Sequence, residues 1–136
     1  MATKTNAVRF GRRESRRFVA LLIEEGDFTQ VFEHEMEVEL KIFSPTEWEA
    51  RMEDKKLLQK DVLAETLLDA KTLGENNKPV AFDNAVKQVV LAEPWAVRSL
   101  YAYQSGFQVG LTSIEVKNQL LGNLTPLATS GKDKGS

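Results

Sequence analysis

The stretch FEHEMEVELKIF, residues 32–43, decides how this chain folds. Its odd positions from Glu33 to Lys41 are all charged, and its even positions are Phe32, His34, Met36, Val38, Leu40 and Ile42. Side chains alternate across a β-strand, so the pattern predicts a strand with one dry face and one strongly acidic face. Three uses of the acidic face stand open: holding a divalent cation, meeting a partner or neighbouring subunit, or staying wet. Alternate residues on a strand sit about 7 Å apart, too spread for one cation cage without other ligands.

Upstream, Arg17 to Ile23 (RFVALLI) is a short apolar run that periodicity alone assigns to neither helix nor strand. The turn-like Glu24-Glu25-Gly26-Asp27 after it favours a strand, making a hairpin with a second strand from about Thr29 to Phe43. Downstream, Ser44-Pro45-Thr46-Glu47 starts a helix. Ser44 caps free N–H groups, Pro45 suits the first helical position, and Glu47 reaches back in a capping box. That helix carries Trp48 and Met52 and breaks near Glu53-Asp54. Leu57, Leu58, Val62, Leu67 and Leu68 then form one apolar stripe, predicting a second helix over 55–73 closed by Gly74. After a polar loop at 75–79, Asp83 caps a helix to about Ala92 with Val86, Val89 and Val90 inward. Glu93-Pro94 opens another, with Trp95, Leu100, Tyr103 and Phe107 at core-like spacing. Thr112-Ser113 caps a last short helix ending at Gly122.

These elements describe an α+β chain, a mostly helical single domain with a small N-terminal antiparallel β element. Residues 1–16 read as a flexible Arg-rich arm, 17–122 as the folded domain, and 123–136, rich in Thr, Pro, Gly, Lys and Ser, as a disordered tail. The 136 residues, 42% of them apolar, suffice for one modest core. There is no cysteine, hence no disulfide, thiolate metal site or thiol nucleophile. No apolar run approaches the roughly 18 residues of a membrane helix, and the N-terminus shows no signal-peptide pattern. The expectation is a soluble cytoplasmic protein.

The net charge of -2 hides a strong polarity. Residues 1–17 hold Lys4, Arg9, Arg12, Arg13, Arg16 and Arg17 against one acid, Glu14. From Phe18 to Leu40 there is no Lys or Arg, and seven acids. Arginine forks suit phosphate or carboxylate, so the head fits either nucleic acid or an acidic protein surface, or is simply solvated. The acidic pI near 5.5 argues against nucleic acid as the partner. His34 alternates with the glutamates and is expected to be partly buried and hydrogen-bonded. With one histidine and no phosphate-loop, dinucleotide or His-Glu-x-x-His motif, nothing points to catalysis, a cofactor or a metal. The candidate partner-binding residues are Arg12, Arg13, Arg16, Arg17, Glu33, Glu35, Glu37, Glu39, Trp48 and Trp95. Both tryptophans also read as core.

The serial order of four segments resembles the tail assembly chaperone family of long-tailed, lambda-like bacteriophages. They are KIFSPTEWEARM, DKKLLQKDVLAETLL, GENNKPVAFD and VKQVVLAEPWAVRSLYAYQSG, covering about residues 28–110. The chain departs from the family pattern in LLDAKTLGE, where a Trp-Glu-Gly-like segment often precedes the loop, and the Arg-rich head lies outside the resemblance. The resemblance implies a non-catalytic, weakly self-associating protein that coats the tape measure protein and contacts the tail tube protein. It would work in the host cytoplasm without entering the mature virion. In this family a longer form often arises by ribosomal frameshift, a joint the 121–136 segment would suit. The alternative is a small nucleic-acid-associated or regulatory protein acting through the Arg-rich head.

Overall fold

A computed structural model describes residues 14–25, 31–73, 76 and 78–129. The expected hairpin is present. β1 (Ser15–Glu25) pairs antiparallel with β2 (Val31–Lys41), from Ser15 opposite Lys41 to Glu25 opposite Val31. The predicted turn at Gly26-Asp27 lies outside the described residues, as does Gly74. Then follow α1 (Pro45–Glu53), α2 (Gln59–Thr66), β3 (Leu67–Leu73), β4 (Pro79–Val80), α3 (Asn84–Leu91), α4 (Pro94–Gln108) and α5 (Ser113–Thr129). The four strands form one antiparallel meander in the order β1-β2-β3-β4.

Two expectations change. The sheet is neither small nor confined to the N-terminus, because the single helix expected over 55–73 is a short helix followed at once by β3. Leu67 leaves the helix in an extended conformation and pairs with Leu40 on β2, while Asp69, Ala70 and Lys71 pair with Glu39, Val38 and Glu37. Leu68 is the extra residue of a bulge at this junction and is 47% exposed. The "mostly helical" reading therefore gives way to a mixed α+β fold. The last helix also continues past Gly122 to Thr129.

The local signals at α1 and α3 act as their chemistry dictates. Ser44 Oγ accepts the Glu47 N–H and Glu47 Oε1 accepts the Ser44 N–H, closing the capping box. Asp83 Oδ1 accepts the Val86 N–H at the start of α3. In α3, however, Val89 is 68% exposed and only Val90 and Leu91 are buried.

Even positions of the hairpin face the core. Ala20, Leu22, Val38 and Leu40 pack with Leu63, Leu67, Ala70, Leu100, Tyr103, Phe107 and Val116. Burying each large apolar side chain contributes roughly 1.5–3 kcal/mol, so this cluster carries the fold. Phe18 closes one end, its ring 4.8 Å from Tyr103 and 4.9 Å from Phe107.

α4 also completes the backbone bonding of the sheet. β1 is an edge strand, and its Leu21 and Ile23 N–H groups donate to Tyr103 Oη and Ser99 Oγ, both at 2.9 Å. Four residues of helix rise about 6 Å. Two residues of strand rise about 6.6 Å. The two spacings nearly match, so Ser99 and Tyr103 can serve successive outward N–H groups. At the end of the helix, Gln108 treats Phe43 as a neighbouring strand would. Its Oε1 accepts the Phe43 N–H and its Nε2 donates to the Phe43 carbonyl, both at 2.9 Å. The buried Gln104 donates to the Lys41 carbonyl at 3.0 Å.

A candidate binding face

Odd positions of the hairpin point to the other face of the sheet, and there the acidic row meets cations from both neighbouring strands. The register places Arg17 opposite Glu39 and Val19 opposite Glu37, and on the other side Lys71 opposite Glu37. Asp69 sits opposite Glu39, a like-charge pair that Arg17 bridges. Arg17 reaches Glu37 at 3.2 Å, Glu39 at 3.0 Å and Asp69 at 2.7 Å, while Lys71 reaches Glu37 at 3.3 Å. Ser15 Oγ donates to the second Glu39 oxygen at 2.7 Å. Half of the row is thus held in an ionic lattice within one chain. Hydrogen bonding from Arg17 holds the Asp69 and Glu37 carboxyls below their ordinary range, with Lys71 adding to the effect at Glu37. The same bonds, Asp69's first, raise Arg17 above its own ordinary value.

The other half of the row is less occupied. Glu35 lies 3.8 Å from Lys117 of α5, and its side chain is 64% exposed. Glu33 forms no ion pair among the described residues. Phe32, next to it in sequence, is also exposed but alternates to the opposite face. On β1 opposite them, Leu21 and Ile23 are buried although they alternate onto this face. α5 packs against β1 here, with its Lys117 beside Glu35, and so covers this end of the strand.

The remaining candidates lie elsewhere. Arg16 alternates to the helical side, donates to the Leu111 carbonyl at 2.8 Å and lies 4.6 Å over the Phe107 ring. Placed in the flexible arm from the sequence, Arg16 is in fact a strand residue that pins the α4–α5 connection. Arg12 and Arg13 lie outside the described residues. Trp48 is half-buried on α1, its ring 6.4 Å from Phe43 and 6.2 Å from Tyr101. Trp95, half-buried at the start of α4, stacks on His34 at 4.9 Å. His34 bonds Glu24 through Nε2 at 2.8 Å and is more exposed than expected, its side chain 45% accessible. The two indoles therefore do not join the acidic row. Asp69, Lys71 and Lys117 do, and sequence reasoning missed the first two by placing them on a helix. The alternation Asp69-Ala70-Lys71-Thr72 was the available signal. Among the described residues no group of three or more His, Asp or Glu is placed to hold a metal ion. No helix among them is long and apolar enough to cross a membrane.

Arg17→Met is expected to lower the urea midpoint at neutral pH, and that loss should disappear in acid. The paired carboxyls have folded-state values below their unfolded ones, so their stabilisation is present above the ordinary carboxylate range. It is lost as pH falls through the folded values. Midpoints measured for both proteins across this range should converge on acidification. A difference that persists in acid would mean that Arg17 acts through packing of its stem.

The face presents fixed charge, a partly neutralised acidic strip and the exposed Val19, an arrangement suited to binding a charged chain. Comparison with known protein families, curated proteins and solved structures returned no match.

Proposed function

We propose that this protein is a non-catalytic phage tail assembly chaperone. On this reading it binds the tape measure protein and helps recruit tail tube subunits in the host cytoplasm, and it stays out of the mature virion. The observation that carries the reading is the exposed Glu33–Glu35 end of the acidic row, a charged strip left outside the Arg17 lattice, with the exposed Val19 further along the same face. The segment order described above supports it from the sequence side. Each exposed ion pair contributes only about 0.2–1 kcal/mol. Many weakly held copies along one long partner would turn such contacts into firm coating by multivalency.

The second reading, nucleic-acid binding through the Arg-rich head, loses two of its five arginines to the fold. Arg16 is bound to Leu111 and Arg17 to three carboxylates.

Co-expression with the tape measure protein of the same gene cluster tests the proposal. Soluble recovery of that protein with many copies bound is the expected result, and a tape measure protein left insoluble overturns it. Reversal of Glu33 and Glu35 to Lys should reduce the number of copies recovered. These two positions are the informative ones, because reversing Glu37 and Glu39 would also break the Arg17 lattice.

A further inference from the structure

We propose that the basic head of the same chain, residues 4–13, docks on the acidic sheet face. The face carries five carboxylates, Glu33, Glu35, Glu37, Glu39 and Asp69, against four cations, Arg17, Lys41, Lys71 and Lys117. The head supplies Lys4, Arg9, Arg12 and Arg13 and no acid. Its attachment point is favourable. The Glu14 carbonyl accepts the Ile42 N–H at 2.7 Å, and Ser15 is bonded to Glu39, so the chain leaves the sheet at the end of this very row.

Reach is sufficient and sets an order. Arg12 and Arg13 are two to three residues from Ser15, about 7–10 Å of extended chain, and can meet Glu39 and Asp69. Arg9 is six residues away, about 20 Å, enough to fold back as far as Glu37 and Glu35. Lys4 is eleven residues away, about 36 Å. Glu33 lies opposite Ile23, eight residues along β1 from Ser15 or about 27 Å, and so within Lys4's span. Single exposed ion pairs are too weak to hold two separate molecules together. A short tether raises the effective concentration of the head to the order of millimolar, which favours the chain's own head over that of a second copy. This inference does not rest on the chaperone reading.

The chain has no cysteine, so Thr5→Cys in the full-length protein gives one attachment site for a nitroxide spin label. The expected result is loss of amide signal at Glu33, Glu35 and Glu37 in dilute buffer. The signal should recover in about 1 M salt, where the screening length is near 3 Å. It should also recover in part in the E33Q/E35Q variant, whose two exposed positions carry no core contact. The absence of salt-sensitive loss on this face would overturn the proposal. So would a loss that appears equally on isotope-labelled chains mixed with spin-labelled, unenriched ones, since the occupant would then be a second copy.

Discussion

Tyr103→Ala is expected to remove about 3–5 kcal/mol of stability, the usual cost of deleting a buried aromatic ring. Domains of this size hold about 5–15 kcal/mol in total, so the variant should lose a large share of its stability. The ring is fully buried between Phe18 and Phe107, and its hydroxyl takes the Leu21 N–H of the edge strand. Tyr103→Phe separates the two roles. It keeps the ring and strands a buried backbone donor, for about 1–3 kcal/mol. Urea midpoints should therefore rank wild type above Phe above Ala, and hydrogen exchange at Leu21 should quicken in the Phe variant. Burial also pushes the Tyr103 phenol above its ordinary value. The unfolded chain then loses its proton first, so stability should fall as pH rises past the ordinary phenol range. The Phe variant should lack that component of the alkaline loss. An equal alkaline loss in both would show that the hydroxyl is not held as described.

Gly106→Ala is expected to destabilise the protein even though alanine favours helix over glycine by about 1 kcal/mol. A Cβ at position 106 would run into Val116 Cγ2 and lie 3.5 Å from Leu111 Cδ1. Val116 is buried and β-branched, so it has no free rotamer into which to retreat. Overpacking of this kind costs about 1–3 kcal/mol, which leaves a net loss of up to about 2 kcal/mol. The informative experiment is a double-mutant cycle with Val116→Ala. That second substitution should cost stability in the wild type but cost little, or restore it, in the Gly106→Ala background. Strict additivity would mean that α4 and α5 do not touch at this point.

Several elements were legible in the chain because one physical signal dominated each. The alternation through 32–42 could only serve a two-sided strand, and Ser44-Pro45-Thr46-Glu47 holds every component of a capping box. Leu100, Tyr103 and Phe107 follow helical spacing and are all buried. Where the reading failed, a local pattern agreed with the wrong partner. Leu67 and Leu68 continue the stripe of Leu57, Leu58 and Val62, so the run looks helical. Pairing of Leu67 with Leu40 overrides that propensity, and Leu68 is turned outward at the bulge. Val89 occupies a helical core position in the sequence, yet α3 packs at its C-terminal end, through Val90 and Leu91. The acidic face was visible, but its neutralisation was not. Arg17 alternates with Phe18 and Ala20 without revealing which strand will carry its counter-charges. Asp69, its shortest contact, is 52 residues away.

The sealing of β1 bears on how this molecule behaves at high concentration. A bare edge strand invites another chain to extend the sheet, the usual route to amyloid-like aggregation. Here Tyr103 and Ser99 occupy the outward donors of β1 at Leu21 and Ile23. At the far side, Asp69 takes the Ala70 N–H with its own carboxylate, and β4 begins with Pro79, which has no N–H to offer. Main-chain pairing with a second copy is thus hindered at these positions on both flanks, which favours association through side chains, by contacts that salt and dilution can reverse.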